Sequence, residues 1–224
     1  MSDLNFIREI EEEVRRDRLI QLWKRYGNHL IGLAMLVVLA TAAWRGWQWY
    51  EKRESAKAGA QYEQALSLAE SGKQAEAEQA LAAIAKDAPS GYRQLAKLRL
   101  AAETGKANAA AGVKAYDEIA ADSSVDPLFR DLAKLRAAYL LIDSAAPSEV
   151  AARVEPLTGA NGPFKNSAKE ALALSYFRAG DKAKARALFT EILADPQVTS
   201  ALAGRAQMMQ ALTAEGAATP ATTQ

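Results

Sequence analysis

A chain of 224 residues with 28 Lys+Arg, 27 Asp+Glu and no cysteine has room for a membrane anchor and one domain of about 170 residues. The missing cysteine excludes disulfides, zinc–thiolate sites and cysteine nucleophiles. Residues 1–50 hold seven of the basic and six of the acidic residues, which leaves 21 of each in 51–224, without the basic excess of a nucleic-acid-binding domain.

The first segment, 1–28, is charged. Ile7, Ile10 and Val14 recur at helical spacing, with Glu11–Glu13 and Arg15-Arg16 on other faces, and predict a short amphipathic helix. Such a helix suits a membrane surface or a partner helix. A frayed charged flank fits the same residues.

An apolar run without a charge follows, Leu30 to Trp44. Its 15 residues make about 23 Å of helix, short of a hydrocarbon core of about 30 Å. Extended to 29–50 it spans the core. Leu30, Ile31, Leu33, Leu36, Val37, Val38 and Leu39 together favour insertion by about 2–4 kcal/mol, which a central arginine would nearly cancel. Arg45 lies near the end instead, where its stem carries the charge to the headgroups. Trp23 and Tyr26 on one side, and Trp44, Trp47, Trp49 and Tyr50 on the other, form the two aromatic belts.

A cleaved signal peptide is the competing reading, with Ala40-Thr41-Ala42 as a small-x-small site. The long acidic stretch before it (Glu9, Glu11, Glu12, Glu13, Asp17) is unlike a short basic leader and favours a retained anchor. Arg15, Arg16, Arg18, Lys24 and Arg25 precede the span; Arg45, Lys52, Arg53 and Lys57 follow it. Five against four places the N-terminus in the cytoplasm by one residue.

Beyond residue 50 no strand-like alternation occurs. Helices are expected at about 52–71, 74–87, 90–104, 108–121, 127–143, 148–155, 163–179, 182–194 and 198–214. Breaks are expected at Gly72, Pro89, Gly105, Pro127, Ala146-Pro147, Gly159–Pro163, Gly180 and Pro196. The tail, 216–224, is rich in Ala, Thr and Pro and reads as disordered.

The breaks come in pairs. Leu172, Ala173, Tyr176, Gly180, Ala185, Phe189, Ile192 and Pro196 resemble the tetratricopeptide repeat: small alanines at the helix crossing, aromatics around it, glycine at the turn and proline at the stop. Ala65, Leu68, Gly72, Ala77, Leu81, Ile84 and Pro89 make a second good unit. The middle is worn, with features displaced to Gly112, Tyr116 and Ile119, and a third pair around 132–142 and 150–157. An all-α solenoid of about four pairs over 51–215 follows. A last helix, with Leu202, Ala206, Met209 and Leu212, would close its end.

No catalytic or cofactor set assembles. His29, the one histidine, borders the span. Gly72-Lys73 and Gly105-Lys106 lack the phosphate-loop neighbours. Glu76/Glu78 and Asp117/Glu118 read as solvated faces, and no metal, small-molecule substrate or nucleic acid is implied. If the first helix of each pair lines a binding face, Tyr62, Leu174, Phe177 and Arg178 point to it; each is equally explained as packing between repeats.

The whole order resembles a known family. Arg15-Arg16-Asp17-Arg18-Leu19, then Leu22-Trp23-Lys24-Arg25-Tyr26-Gly27-Asn28, one span, Trp44-Arg45-Gly46-Trp47 and Ala60-Gln61-Tyr62 are similar to the YfgM-like family of bacterial ancillary subunits of the SecYEG translocon. The resemblance implies a single-pass inner-membrane protein with a cytoplasmic N-terminus and a periplasmic repeat domain. Its implied partners are SecYEG and the periplasmic chaperone PpiD. A scaffold for another envelope complex, or a regulator facing the cytoplasm, are the alternatives.

Overall fold

The computed structural model describes residues 3–159 and 161–215. The tail expected to be disordered, 216–224, lies outside them. Every regular element among the described residues is helical. The order is α1 Asp3–Glu70, α2 Gln74–Asp87, α3 Ser90–Ala107, α4 Ala109–Ala121, α5 Pro127–Leu141, α6 Pro147–Val154, a 3-10 turn Glu155–Leu157, α7 Lys165–Arg178, α8 Lys182–Ala194 and α9 Ser200–Glu215. The chain forms two units, Met1–Glu54 and Ser55–Gln224.

The first unit is the helix α1 up to Glu54. Among the described residues it holds the one helix long and apolar enough to cross a membrane, with a mean hydropathy of 1.6 over its apolar window. Ile31, Leu33, Met35–Leu39, Trp44, Trp47, Trp49 and Tyr50 all stand exposed, as a lipid-facing surface requires. The hydroxyl of Thr41 donates to the Val37 carbonyl at 2.7 Å, so it brings no unmet donor into that surface. Cations sit over rings at both aromatic levels: Arg25 over Tyr26 at 5.7 Å and Arg53 over Trp49 at 5.4 Å. The amphipathic face assigned to Ile7, Ile10 and Val14, and the anchor side chains Trp23 and Leu30, lie outside the described side chains.

The second unit is an α-solenoid. Residues 55–70 of α1 pair with α2, α3 with α4, α5 with α6, and α7 with α8; α9 closes the end. Each helix from α2 onward packs on the next. Four small cores lie in chain order, and each is completed by the next pair's first helix. Ala58, Ala65, Leu81 and Ile84 are joined by Ala96 of α3. Leu98, Val113, Tyr116 and Ile119 are joined by Ala133 and Ala137 of α5. Leu135, Val150 and Val154 are joined by Ala168, Ala171 and Leu172 of α7, and Ala173, Ala185, Phe189 and Ile192 by Leu202 and Ala206 of α9. No pair buries its apolar face without a neighbour.

The two good units turn as their glycines predict. Gly72 and Gly180 have φ of +76° and +84°. Lys73 N–H reaches back to Leu68 O and Asp181 N–H to Tyr176 O, while each glycine N–H bonds three residues back. These are Schellman turns, which need a residue free of Cβ strain. Elsewhere side chains and prolines set the starts: Asn108 caps α4, Asp181 caps α8, and Asp126 caps α5 with Pro127 in its first turn.

Two expectations need correction. Gly105 is not a break. It lies inside α3, which runs on to Ala107 before Asn108 starts α4. Its purpose is contact: a Cβ built on Gly112 would stand 2.4 Å from the Gly105 Cα, so α3 and α4 touch backbone to backbone there. At the closing helix, Leu202 and Ala206 are buried and Met209 packs beside them, but Leu212 is 43% exposed. The inward position one residue on is Thr213, whose hydroxyl is satisfied by Gln210 O at 2.6 Å.

Candidate protein-binding site

The four residues singled out from the sequence do not share one place. Tyr62 sits on α1 in the first repeat, half-buried, with its ring 6.2 Å from that of Tyr92 and tilted by 55°. Burial pushes its hydroxyl up, and the charge of Arg99 opposes this. Phe177 is partly buried against the core of Phe189 and Ile192. Arg178 is exposed and donates to the Ala145 carbonyl at 3.1 Å, which ties the end of α7 to the turn after α5. Leu174 lines an open cavity.

That cavity, of about 390 Å³, lies where α5, α7 and α9 meet. Arg136 and Tyr139 come from α5, Glu170 and Leu174 from α7, and Arg205, Met208 and Met209 from α9. Leu174, Met208 and Met209 give it an apolar lining, with Met208, 67% exposed, at the rim. Two other hollows, of about 310 Å³ and 300 Å³, expose less apolar lining.

Polar groups at the floor answer one another. The Tyr139 hydroxyl donates to Glu170 Oε2 at 2.7 Å, and Arg205 grips both carboxylate oxygens, at 2.7 and 3.0 Å. Glu170 is nearly fully buried, and the fork-to-fork pair with Arg205 is the geometry that makes such burial tolerable. Burial, reinforced by the Glu170 carboxylate, drives the Tyr139 hydroxyl far above the ordinary tyrosine value, so it remains a neutral donor. Glu170 thus accepts bonds from α5 and α9 at once and ties the two helices to α7.

A second buried carboxylate, Glu103 on α3, receives Arg99 at 2.7 Å, Lys106 at 2.8 Å and Gln74 of α2 at 3.1 Å. Burial alone would raise its pKa, but the bonds from Lys106 and Gln74 and the charge of Arg99 carry it below the usual range. Glu76 and Glu78 are engaged by Lys73 and Gln74 of their own turn, and Asp117 is clamped by Arg153 of α6 at 2.9 and 3.2 Å. Asp117 thus joins α4 to α6, while Glu76 lies on an exposed helix face.

Arg136, Tyr139, Glu170, Arg205, Met208 and Met209 were not legible as a group from the sequence. One signal was present: Arg136, Glu170 and Arg205, and likewise Tyr139, Leu174 and Met209, lie 34–35 residues apart, the repeat period. The family model of the tetratricopeptide repeat-like domain matches residues 21–214. No curated protein and no solved structure matches the chain.

Proposed function

We propose that this chain, which belongs to the tetratricopeptide repeat-like domain family, is a membrane-tethered, protein-binding adaptor. One observation carries the reading: a helix on which Ile31, Leu33, Met35–Leu39, Trp44, Trp47, Trp49 and Tyr50 stand exposed, in the same chain as a solenoid with an open, methionine-lined groove. A span confines the solenoid to the membrane plane and raises its effective concentration toward membrane partners. The resemblance of its N-terminal segments to the YfgM-like family supports a finer reading. The chain is then an ancillary subunit of the SecYEG translocon, with its N-terminus in the cytoplasm and its solenoid in the periplasm, beside a chaperone such as PpiD.

Two measurements test this. Protease added to spheroplasts should digest the solenoid; a protected solenoid refutes the periplasmic placement. Affinity purification in mild detergent should recover translocon components. Recovery of a different envelope complex alone refutes the translocon role and leaves the adaptor.

A further inference from the structure

The groove between α5, α7 and α9 carries a charge preference that the adaptor role does not specify. Its apolar lining is adaptable, built of Leu174, Met208 and Met209. Its buried polar groups are already satisfied: Glu170 is neutralised by Arg205 and accepts from Tyr139. Arg136 is different. It is exposed at the groove and forms neither ion pair nor hydrogen bond among the described residues, though Tyr116 and Tyr139 both feel its charge. The groove therefore carries one net positive charge, in a region, 51–224, whose 21 basic and 21 acidic residues sum to zero. A volume of about 390 Å³ is at the low end for enclosing a ligand, the scale of a few side chains rather than a folded surface.

From this geometry we infer that the groove binds an extended peptide segment of another protein in which an acidic side chain lies next to an apolar one. The apolar side chain enters between Leu174 and Met208. The carboxylate meets the Arg136 guanidinium, whose planar fork suits it better than any neutral group. The chain's own residues 216–224 contain neither an acidic nor a large apolar side chain, so they lack the complementary chemistry. This inference rests on the adaptor reading and names the chemistry its partner must present.

The test uses the full-length protein in detergent micelles and fluorescein-labelled nine-residue peptides. Each carries two leucines flanked by two glutamates, two glutamines or two lysines in a Ser/Gly background. Fluorescence anisotropy should show the glutamate peptide binding about tenfold tighter than the glutamine one, with the lysine peptide weakest. Arg136→Gln should remove the difference, and Met208→Ser should weaken all three. Equal binding of the three peptides, a preference that survives Arg136→Gln, or no binding of the glutamate peptide overturns the inference.

Partners retained in mild detergent separate the two claims. Equal retention by wild type and the Arg136→Gln/Met208→Ser double variant overturns the groove as the docking place and leaves the adaptor standing. Loss of retained partners in the double variant supports both. A peptide preference with no partner retained by either protein removes the adaptor and keeps the groove.

Discussion

Gly112→Ala should damage the solenoid, while Gly105→Ala, at the same helix crossing, should not. Both substitutions gain about 1 kcal/mol of helix propensity. They differ in what the new methyl meets. At Gly112 it would stand 2.4 Å from the Gly105 Cα, 3.0 Å from the Gly105 nitrogen and 3.0 Å from Leu140 Cδ1. Ordinary carbon contacts lie at about 3.5–4.0 Å, so α3 and α4 must part by about 1 Å, and backbone cannot step aside. Overpacking costs about 1–3 kcal/mol, and this case belongs at or above the top of that range. The net loss is about 2 kcal/mol, which lowers Tm by about 4–8 °C for a domain of this size. At Gly105 the methyl meets the flexible end of Leu140 at 3.0 Å and the Gly112 Cα at an ordinary 3.5 Å. Leu140 can rotate, the propensity gain offsets the rest, and Tm should stay within about 2 °C of wild type. Thermal melts of the full-length protein in micelles, followed by far-UV circular dichroism, measure both. A Gly112→Ala protein as stable as Gly105→Ala would refute the backbone contact.

Gly180→Ala should cost about 1–2 kcal/mol in urea titration, all of it backbone strain, because nothing lies within 4 Å of the new Cβ; an unchanged midpoint would contradict the left-handed turn. Asp195 is held by Lys165 at 2.5 Å, by the Gln197 N–H and by Asn166, and these bonds lower its pKa from 3.8 to about 2. The unfolded chain then binds this proton first as pH falls, so stability from Asp195 is complete above about pH 5 and is lost between about pH 4 and 2. Asp195→Asn should flatten the stability–pH slope in that window, and an unaltered slope would count against the assignment. Leu36→Arg replaces a favourable insertion contribution with an opposing one near the middle of the span, a change of about 3–4 kcal/mol. Carbonate should then extract a chain it leaves in place when wild type; retention of the variant would argue against a bilayer-spanning α1. Glu170→Leu strands the Tyr139 hydroxyl and frees Arg205 to solvent, at a cost of about 1–3 kcal/mol. Hydrogen exchange should rise across α9, and unchanged protection of 200–215 would show that apolar packing alone holds it.

The helices of the solenoid were legible because proline, glycine and capping residues act locally. Gly72 and Gly180 end helices in left-handed turns, and Pro127 and Pro147 start them. Gly105 misled because a glycine that permits contact and one that makes a turn are the same letter. Only the position of Gly112 on the facing helix separates the two cases. Glu103 was illegible for a related reason. Arg99 four residues before it and Lys106 three after are the pattern of a solvated helix face, yet Gln74 of α2 reaches the carboxylate and it is fully buried. The groove was more distant still: the repeat period does align Arg136, Glu170 and Arg205 on α5, α7 and α9, but only the folded stack shows that this register encloses a hollow.

The two buried carboxylates answer a difficulty that the composition creates. Alanine makes up much of the buried inter-helix surface: Ala65, Ala77, Ala96, Ala133, Ala137, Ala138, Ala168, Ala171, Ala173, Ala185 and Ala206 are all buried. Small side chains allow close approach but offer little relief, so sliding one helix along another by a turn exchanges alanine for alanine at small cost in buried area. Ion pairs do not tolerate that slide. Glu170 on α7 bonds backward to Tyr139 of α5 and forward to Arg205 of α9, and Glu103 on α3 bonds backward to Gln74 of α2. A shift of one turn would leave Glu170 buried without its donors, a loss of about 3–5 kcal/mol, whereas Glu103 would lose its bond from Gln74 and keep Arg99 and Lys106 of its own helix. Because Glu170 belongs both to this latch and to the groove, one hydrogen-bonded set fixes the seat of α9 and the position of Met208 and Met209. The shape of the groove is therefore as well defined as the register of the last repeat.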